Sequence, residues 1–311
     1  MSTQTLAPGT DGGRDTTSRP RSGGLRALTR SVPLVPAILL LAVFLLGPIL
    51  WSLYGSMTNT ALTGYRAADP QFVGLDNYTS LFADADFWAS VWITVVFTLA
   101  SAVVGQNVLG MGLAVLQRMA PKALGSAIGA LVVVAWVMPE IVAAFALYAF
   151  FSTDGTLNSV LGVVGLGDTT WLITVPLLAV ILANVWRGTA FSMLVYRAAL
   201  SEVPTEIEEA AQIDGANRRQ TFFRVTLPMI RRSISTNLML TTLQTLAVFT
   251  IIWVMTGGGP GTKSSTLPVL AYQEAFKYSQ VGYGTAIATV TILVGAVFSI
   301  VYIKVLKPEV D

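Results

Sequence analysis

Long apolar stretches separated by short polar links recur along the chain from residue 33 to residue 303. A hydrocarbon core about 30 Å thick is crossed by roughly 20 helical residues rising about 1.5 Å each. Six stretches reach that length: 33–55, 91–116, 124–151, 171–194, 233–255 and 284–303. Four of them are free of charge; the third carries Glu140 and the fourth Arg187. The pattern predicts an all-α integral membrane protein with a six-helix transmembrane domain over 31–311. Residues 1–30, rich in Gly, Ser, Thr and Arg, are too poor in large apolar side chains to order themselves and are expected to form a flexible cytoplasmic tail. The first apolar run is longer and bulkier than a cleavable signal, so it is read as a retained span.

Composition agrees with lipid as the solvent, since only 12% of residues are charged against about 25% in an ordinary soluble domain. The placement of the charges is more informative than the net of +2, which gives no general attraction to nucleic acid. Arg14, Arg19, Arg21, Arg26 and Arg30 lie in the tail, Arg118 and Lys122 between the second and third spans, and Lys304 and Lys307 at the end. Six more, from Arg197 to Arg232, lie between the fourth and fifth spans, whereas the alternate links hold only Arg66, Lys263 and Lys277. Lysine and arginine mark cytoplasmic loops, so both termini are expected in the cytoplasm of a bacterial or archaeal cell. The absence of Cys and His removes disulfides, thiol nucleophiles, imidazole bases and the metal sites those residues build.

Polar groups inside the spans call for a reason, because a charge at the bilayer centre costs at least about 2.5 to 3.5 kcal/mol on insertion scales. Glu140 and Arg187 either line a translocation pathway or are structural, as an ion pair or with Arg187 reaching outward to the interface, and the structural reading is the plainer one. Asn107, Asn237 and Gln244, with Gln106 and Asn184, are able to bind hydroxyl groups or to join helices through side-chain hydrogen bonds. Tyr148, Trp136, Trp186 and Phe249 offer ring faces to a ligand or to ordinary packing. The first external link holds Asp69, Asp76, Asp84, Asp86 and several aromatics; it has the makings of a short interfacial helix, but the plainer reading is that its aromatics mark the headgroup zone. In the last one, Gly257, Gly258 and Gly259 before Pro260 predict a tight re-entrant path without the lysine of a phosphate-binding loop.

The link over 201–232 is patterned. Thr205 and Glu208 have the spacing of a capping box, and Glu206, Glu208 and Glu209 suit the positive end of a helix dipole. Gly215 after Asp214 supplies the left-handed residue that ends a helix. A second short helix is expected from Asn217 to Val225, bringing Phe222 and Phe223 beside Arg218, Arg219 and Arg224, with Leu227-Pro228 as its stop. Two short helices around a glycine corner form a rigid protrusion suited to a cleft on a partner.

Glu209-Ala210-Ala211, Asp214-Gly215, Phe222 and Leu227-Pro228 resemble the EAA loop of permease subunits in binding-protein-dependent ABC importers of type I. Phe72-Val73-Gly74-Leu75-Asp76-Asn77-Tyr78, and Thr256-Gly257-Gly258-Gly259-Pro260-Gly261 followed by Tyr272 and Ala275-Phe276, are similar to external loops of the carbohydrate-uptake branch, the maltose and glycerol-phosphate type. The resemblance implies that the 201–232 loop couples to a separate ATPase. It also implies a second permease subunit, an ATPase dimer that carries ATP and magnesium, and an external sugar-binding protein, with no cofactor on this chain. It implies a di- or oligosaccharide substrate, with monosaccharides and glycerol phosphate left open. An ion-coupled carrier is the alternative, though it leaves the EAA loop without a use. A membrane enzyme would need a cluster of acid, base or metal-binding groups that the scattered acids do not provide.

Overall fold

The computed structural model describes residues 34–167 and 169–306; the tail over 1–30 lies outside them. The described residues are helical without a β-strand, apart from an isolated bridge between Thr58 and Phe72. The chain divides into two compact units, one ending at Leu50 and one beginning at Trp51. Helix α1, Val35–Gly55, starts with a proline in its first turn and passes through a π-helical turn at Ala42–Leu46. None of its residues is buried, as suits a side-chain surface made for lipid or another subunit.

The first external link contains two short helices, α2 (Tyr65–Ala68) and α3 (Asp76–Ala83). Helix α4, Ala85–Met119, is longer than the span read from the pattern, because its first turns are capped where the Asp84 side chain accepts the Asp86 amide. At 35 residues it is roughly 50 Å long, and its π-helical turn at Leu99–Gln106 spans its middle.

The third apolar stretch is broken into two helices rather than one continuous helix. Helix α5, Lys122–Val137, meets α6, Glu140–Phe151, at a bend of 105°. Pro139 is the cause: the residue before a proline is excluded from helical dihedrals, and Met138 accordingly has ψ 133°. A hydropathy window sees continuous apolar sequence and misses the corner. Short helices α7 (Thr156–Gly162) and α8 (Trp171–Thr174) follow. Helix α9, Pro176–Ser201, therefore begins later than the stretch 171–194 and ends later too. The fifth stretch likewise breaks by 47° between α12 (Arg231–Leu246) and α13 (Thr250–Thr256). Helix α14 (Leu267–Tyr272), with a π-helical turn at Gln273–Lys277, precedes the last helix, α15, Val281–Leu306.

Helix α4 organises the core. Near one end Phe87 joins Leu81, Leu267, Leu270 and Ile287. Phe97 joins Ala144, Val180, Ile251 and Ile252 in its middle, and Ala114 joins Met193, Tyr196 and Ile230 near the other end. The approach to α9 needs Gly110, since a Cβ there would stand 2.4 Å from the Ser192 Cβ and 2.9 Å from the Met193 amide nitrogen. Small residues allow such contact in lipid, where no hydrophobic force presses helices together.

Buried polar side chains join the helices between the apolar clusters. Asn237, fully buried, donates to Asn107 Oδ1 at 2.8 Å and to the Ser192 hydroxyl at 2.9 Å. The Asn107 amide reaches the Ala102 carbonyl, and Tyr196 donates its hydroxyl to Asn107 Oδ1. Asn184 donates to Ser101 at 3.0 Å. Buried donors paired in this way hold helices in register at low dielectric.

Candidate functional site

Two regions carry the polar chemistry left after packing is accounted for. The first is the link between α9 and α12. Helix α10, Thr205–Ile213, starts after Pro204 without a side-chain cap, so the box expected from Thr205 and Glu208 does not form. Glu208 is engaged elsewhere. Arg118 at the end of α4 grips it with two parallel bonds of 2.9 Å, and the Thr226 hydroxyl donates to it at 2.8 Å. A bidentate charge-assisted contact outweighs one capping bond in the solvent-exposed first turn.

Gly215 does end α10. At φ 90° it closes a Schellman turn in which the Ala216 amide donates to Ala211 and the Gly215 amide to Gln212. The capping box of the segment belongs instead to Asn217 and Gln220, whose side chains and backbone amides bond reciprocally at 2.8 and 2.9 Å. Helix α11, Arg218–Thr221, continues through a π-helical turn at Phe222–Thr226 into Leu227–Met229. Leu227-Pro228 therefore does not stop it; the break comes at Ile230. A proline in the first turn of a helical segment needs no amide partner, and the π-helical turn before it supplies that condition.

Exposure sorts this segment into an anchor and a knob. Phe222 and Leu227 pack against the Met193–Tyr196 cluster. Glu209, Ala210, Asp214, Gly215 and Pro228 are exposed, and Ala211 is half-buried. Ile213 is 86% and Phe223 58% exposed, an unusual cost for large apolar side chains beside a run of charges.

The second region is a central cavity of about 450 Å³. Glu140, Arg187 and Gln244 converge there with Gln106, Asn184 and Trp136. Glu140 is the first residue of α6, where the free amides and dipole of a helix start favour a carboxylate. Arg187 and Glu140 share the cavity without an ion pair; among the described residues the pair within 4 Å is Arg118–Glu208. The structural ion pair expected from the sequence is thus absent, and Arg187 Nε is buried with no protein partner.

The remaining expected pathway residues are elsewhere. Asn107 and Asn237 are consumed by the buried network described above and do not face the cavity. Tyr148 lines a separate cavity of about 490 Å³ with Ser152, Thr170 and Pro260. Sequence reasoning missed the Arg118–Glu208–Thr226 anchor. The spacing holds no signal for it, because Arg118 and Glu208 are 90 positions apart.

Comparison with known proteins agrees with this geometry. Residues 106–311 match the family described as binding-protein-dependent transport system inner membrane component. The chain is 32% identical over 89% of its length, and 89% of the relative's, to the sulfoquinovosyl glycerol transport system permease protein SmoG of Agrobacterium fabrum. It is 31% identical over 88% of its length, and 91% of the relative's, to the trehalose/maltose transport system permease protein MalF of Thermococcus litoralis. Among solved structures, its fold is similar to a chain of a bacterial ABC transporter involved in import of the acidic polysaccharide alginate. That match has a TM-score of 0.77 at 22% identity and covers 92% of this chain and 98% of the other. The chain therefore belongs to the family of binding-protein-dependent transport system inner membrane components.

Proposed function

We propose that this permease forms one half of the pathway of an ATP-driven carbohydrate importer, spanning the inner membrane six times with both termini in the cytoplasm. The bent pairs α5–α6 and α12–α13 each count as one span in this reading, beside α1, α4, α9 and α15. The observation that carries it is the exposed two-helix knob α10–α11, held to α4 by Arg118 and Glu208. Glu209, Ala210, Asp214 and Gly215 face outward on that knob, as a contact with a partner ATPase requires. ATP and magnesium belong to that partner, and a second permease completes the pathway.

The printed names of the relatives support a sugar or glycoside as substrate. In the central cavity, Arg187, Glu140 and Gln244 present a mixture of donors and acceptors suited to hydroxyl groups. The glycine loop after α13 faces an external binding protein. An ion-coupled carrier finds no support in the family.

The test is to purify the chain from its native membrane in mild detergent, identify the proteins that accompany it, and repeat with Ile213→Asp and Gly215→Val. Recovery of an ATPase and a second permease, with the ATPase lost from the variants, supports the reading. A chain that is recovered alone and moves sugar into liposomes without ATP overturns it.

A further inference from the structure

A larger cavity of about 850 Å³ opens near the first turns of α4, at the end of that helix opposite the Arg118 anchor. Trp253, Tyr272, Phe276 and Tyr278 form its aromatic part, while Asp86 and Glu274 bring carboxyl groups to it. The rings are in mutual contact. Trp253 and Tyr272 are 4.7 Å apart between centroids, and Tyr272 and Phe276 5.0 Å. Phe249 extends the series inward, 4.9 Å from Tyr272 and stacked 5.8 Å from Trp253, and Phe249 also lines the central cavity.

The frame around these rings is built rather than loose. Gln273 donates to the Gly257 carbonyl at 2.8 Å, the Thr256 and Ser264 hydroxyls bond at 2.8 Å, and the Ser264 amide returns to Gly258. Asp84 is occupied by the Tyr283 hydroxyl and by the Asp86 amide, which leaves Asp86 and Glu274 as the carboxyl groups lining the cavity. Burial, with Asp84 and Asp86 nearby, pushes the Glu274 carboxyl above its ordinary value.

We propose that this outer cavity is a second carbohydrate subsite, and that Trp253, Tyr272, Phe276 and Phe249 form an aromatic track from it to the central cavity. The chemistry is specific to sugars. A pyranose ring has apolar C–H faces that lose water against an aromatic ring, while its rim of hydroxyls needs hydrogen-bond partners when it leaves water. Ring faces bordered by carboxyl groups meet both needs, and the volume lies within the range of about 300–1,000 Å³ typical of ligand sites. Because the rings touch in series, a sugar leaving one meets the next without returning fully to water. The proposal rests on the carbohydrate reading above.

The experiment uses the full chain with its co-purifying subunits in lipid nanodiscs. Maltose and trehalose are the probes and glycerol, which has no ring face, is the control. Tryptophan emission and equilibrium binding of the labelled sugars are followed together. The expected result is a saturable emission change with both sugars and none with glycerol. Trp253→Phe abolishes it, and Phe276→Ala, at an exposed ring that folding does not need, shifts its midpoint by about tenfold. If labelled sugar binds but the emission change survives in Trp253→Phe, is unmoved in Phe276→Ala, or never occurs, the outer subsite is overturned and the carbohydrate reading stands. If neither sugar binds the wild type by either readout, the carbohydrate reading falls and the track with it.

Discussion

The link between α9 and α12 and the central cavity both hold an arginine and a glutamate, yet they use them in opposite ways. Arg118 and Glu208 are locked in a bidentate pair with Thr226 as a third partner. Arg187 and Glu140 share a cavity and leave each other free. A paired charge spends its hydrogen-bonding capacity on holding two elements together; an unpaired one, already partly desolvated, keeps that capacity for whatever enters. Helix α4 joins the two regions, with Gln106 at the cavity and Arg118 at the anchor. The anchor thus ties the knob to the helix that lines the cavity.

The comparison is broken most directly at Arg187. Replacing it with Met is expected to lower sugar uptake by about a hundredfold, the worth of one or two hydrogen bonds to a charged group. The thermal midpoint is expected to hold or rise, since a buried donor without a protein partner is removed. Uptake into liposomes and a melting curve on the same preparation decide it; a matching fall in both would assign Arg187 to packing.

Asn237→Ala supplies the contrast of a buried amide whose donors are both used within the protein. It leaves Asn107 and Ser192 short of a donor and is expected to cost about 2 kcal/mol of stability, seen as an earlier denaturant midpoint. Arg118→Ala follows at about 1 kcal/mol or less, because the pair is partly exposed and screened. Its larger signature is ATP hydrolysis that no longer drives uptake. The swap Arg118→Glu with Glu208→Arg should restore coupling, and a swap that stays uncoupled would show that charge pairing is not what matters there.

The smallest effect is a pH dependence at Glu274. Burial, then Asp84 and Asp86, raises its carboxyl in the folded chain, so the folded state holds the proton more tightly than the unfolded one. Its contribution to stability is fully present below the unfolded value and is lost as pH rises through the raised one. Glu274→Gln should therefore flatten the stability profile over that acidic window and leave the neutral protein slightly more stable than wild type.

Much of the architecture was legible because it depends on local sequence. The apolar runs located the membrane-crossing elements, and Gly215 marked the end of α10 because only a residue tolerant of positive φ closes that turn cheaply. The bend at Met138-Pro139 was also written locally, in the dihedral limit that proline places on its neighbour, but an apolar average conceals it. The fate of the intramembrane polar residues was not legible. Asn107, Asn237 and Gln244 are alike as sequence, and two became buried partners while one faces the cavity.

The sequence by itself determined that this chain lives in a bilayer, roughly where its apolar helices lie, and that the 201–232 link is a pair of short helices around a glycine corner. Those properties follow from hydropathy, helix propensity and turn chemistry over a few neighbouring residues. Only the tertiary structure decided which charges are paired. Glu208 chose Arg118 over its own helix cap, and Arg187 was left without Glu140, because pairing depends on distances set by α4, α9 and the corner before α6. A side chain's chemistry is carried by its residue type, but its role is fixed by what packing leaves within about 3 Å of it.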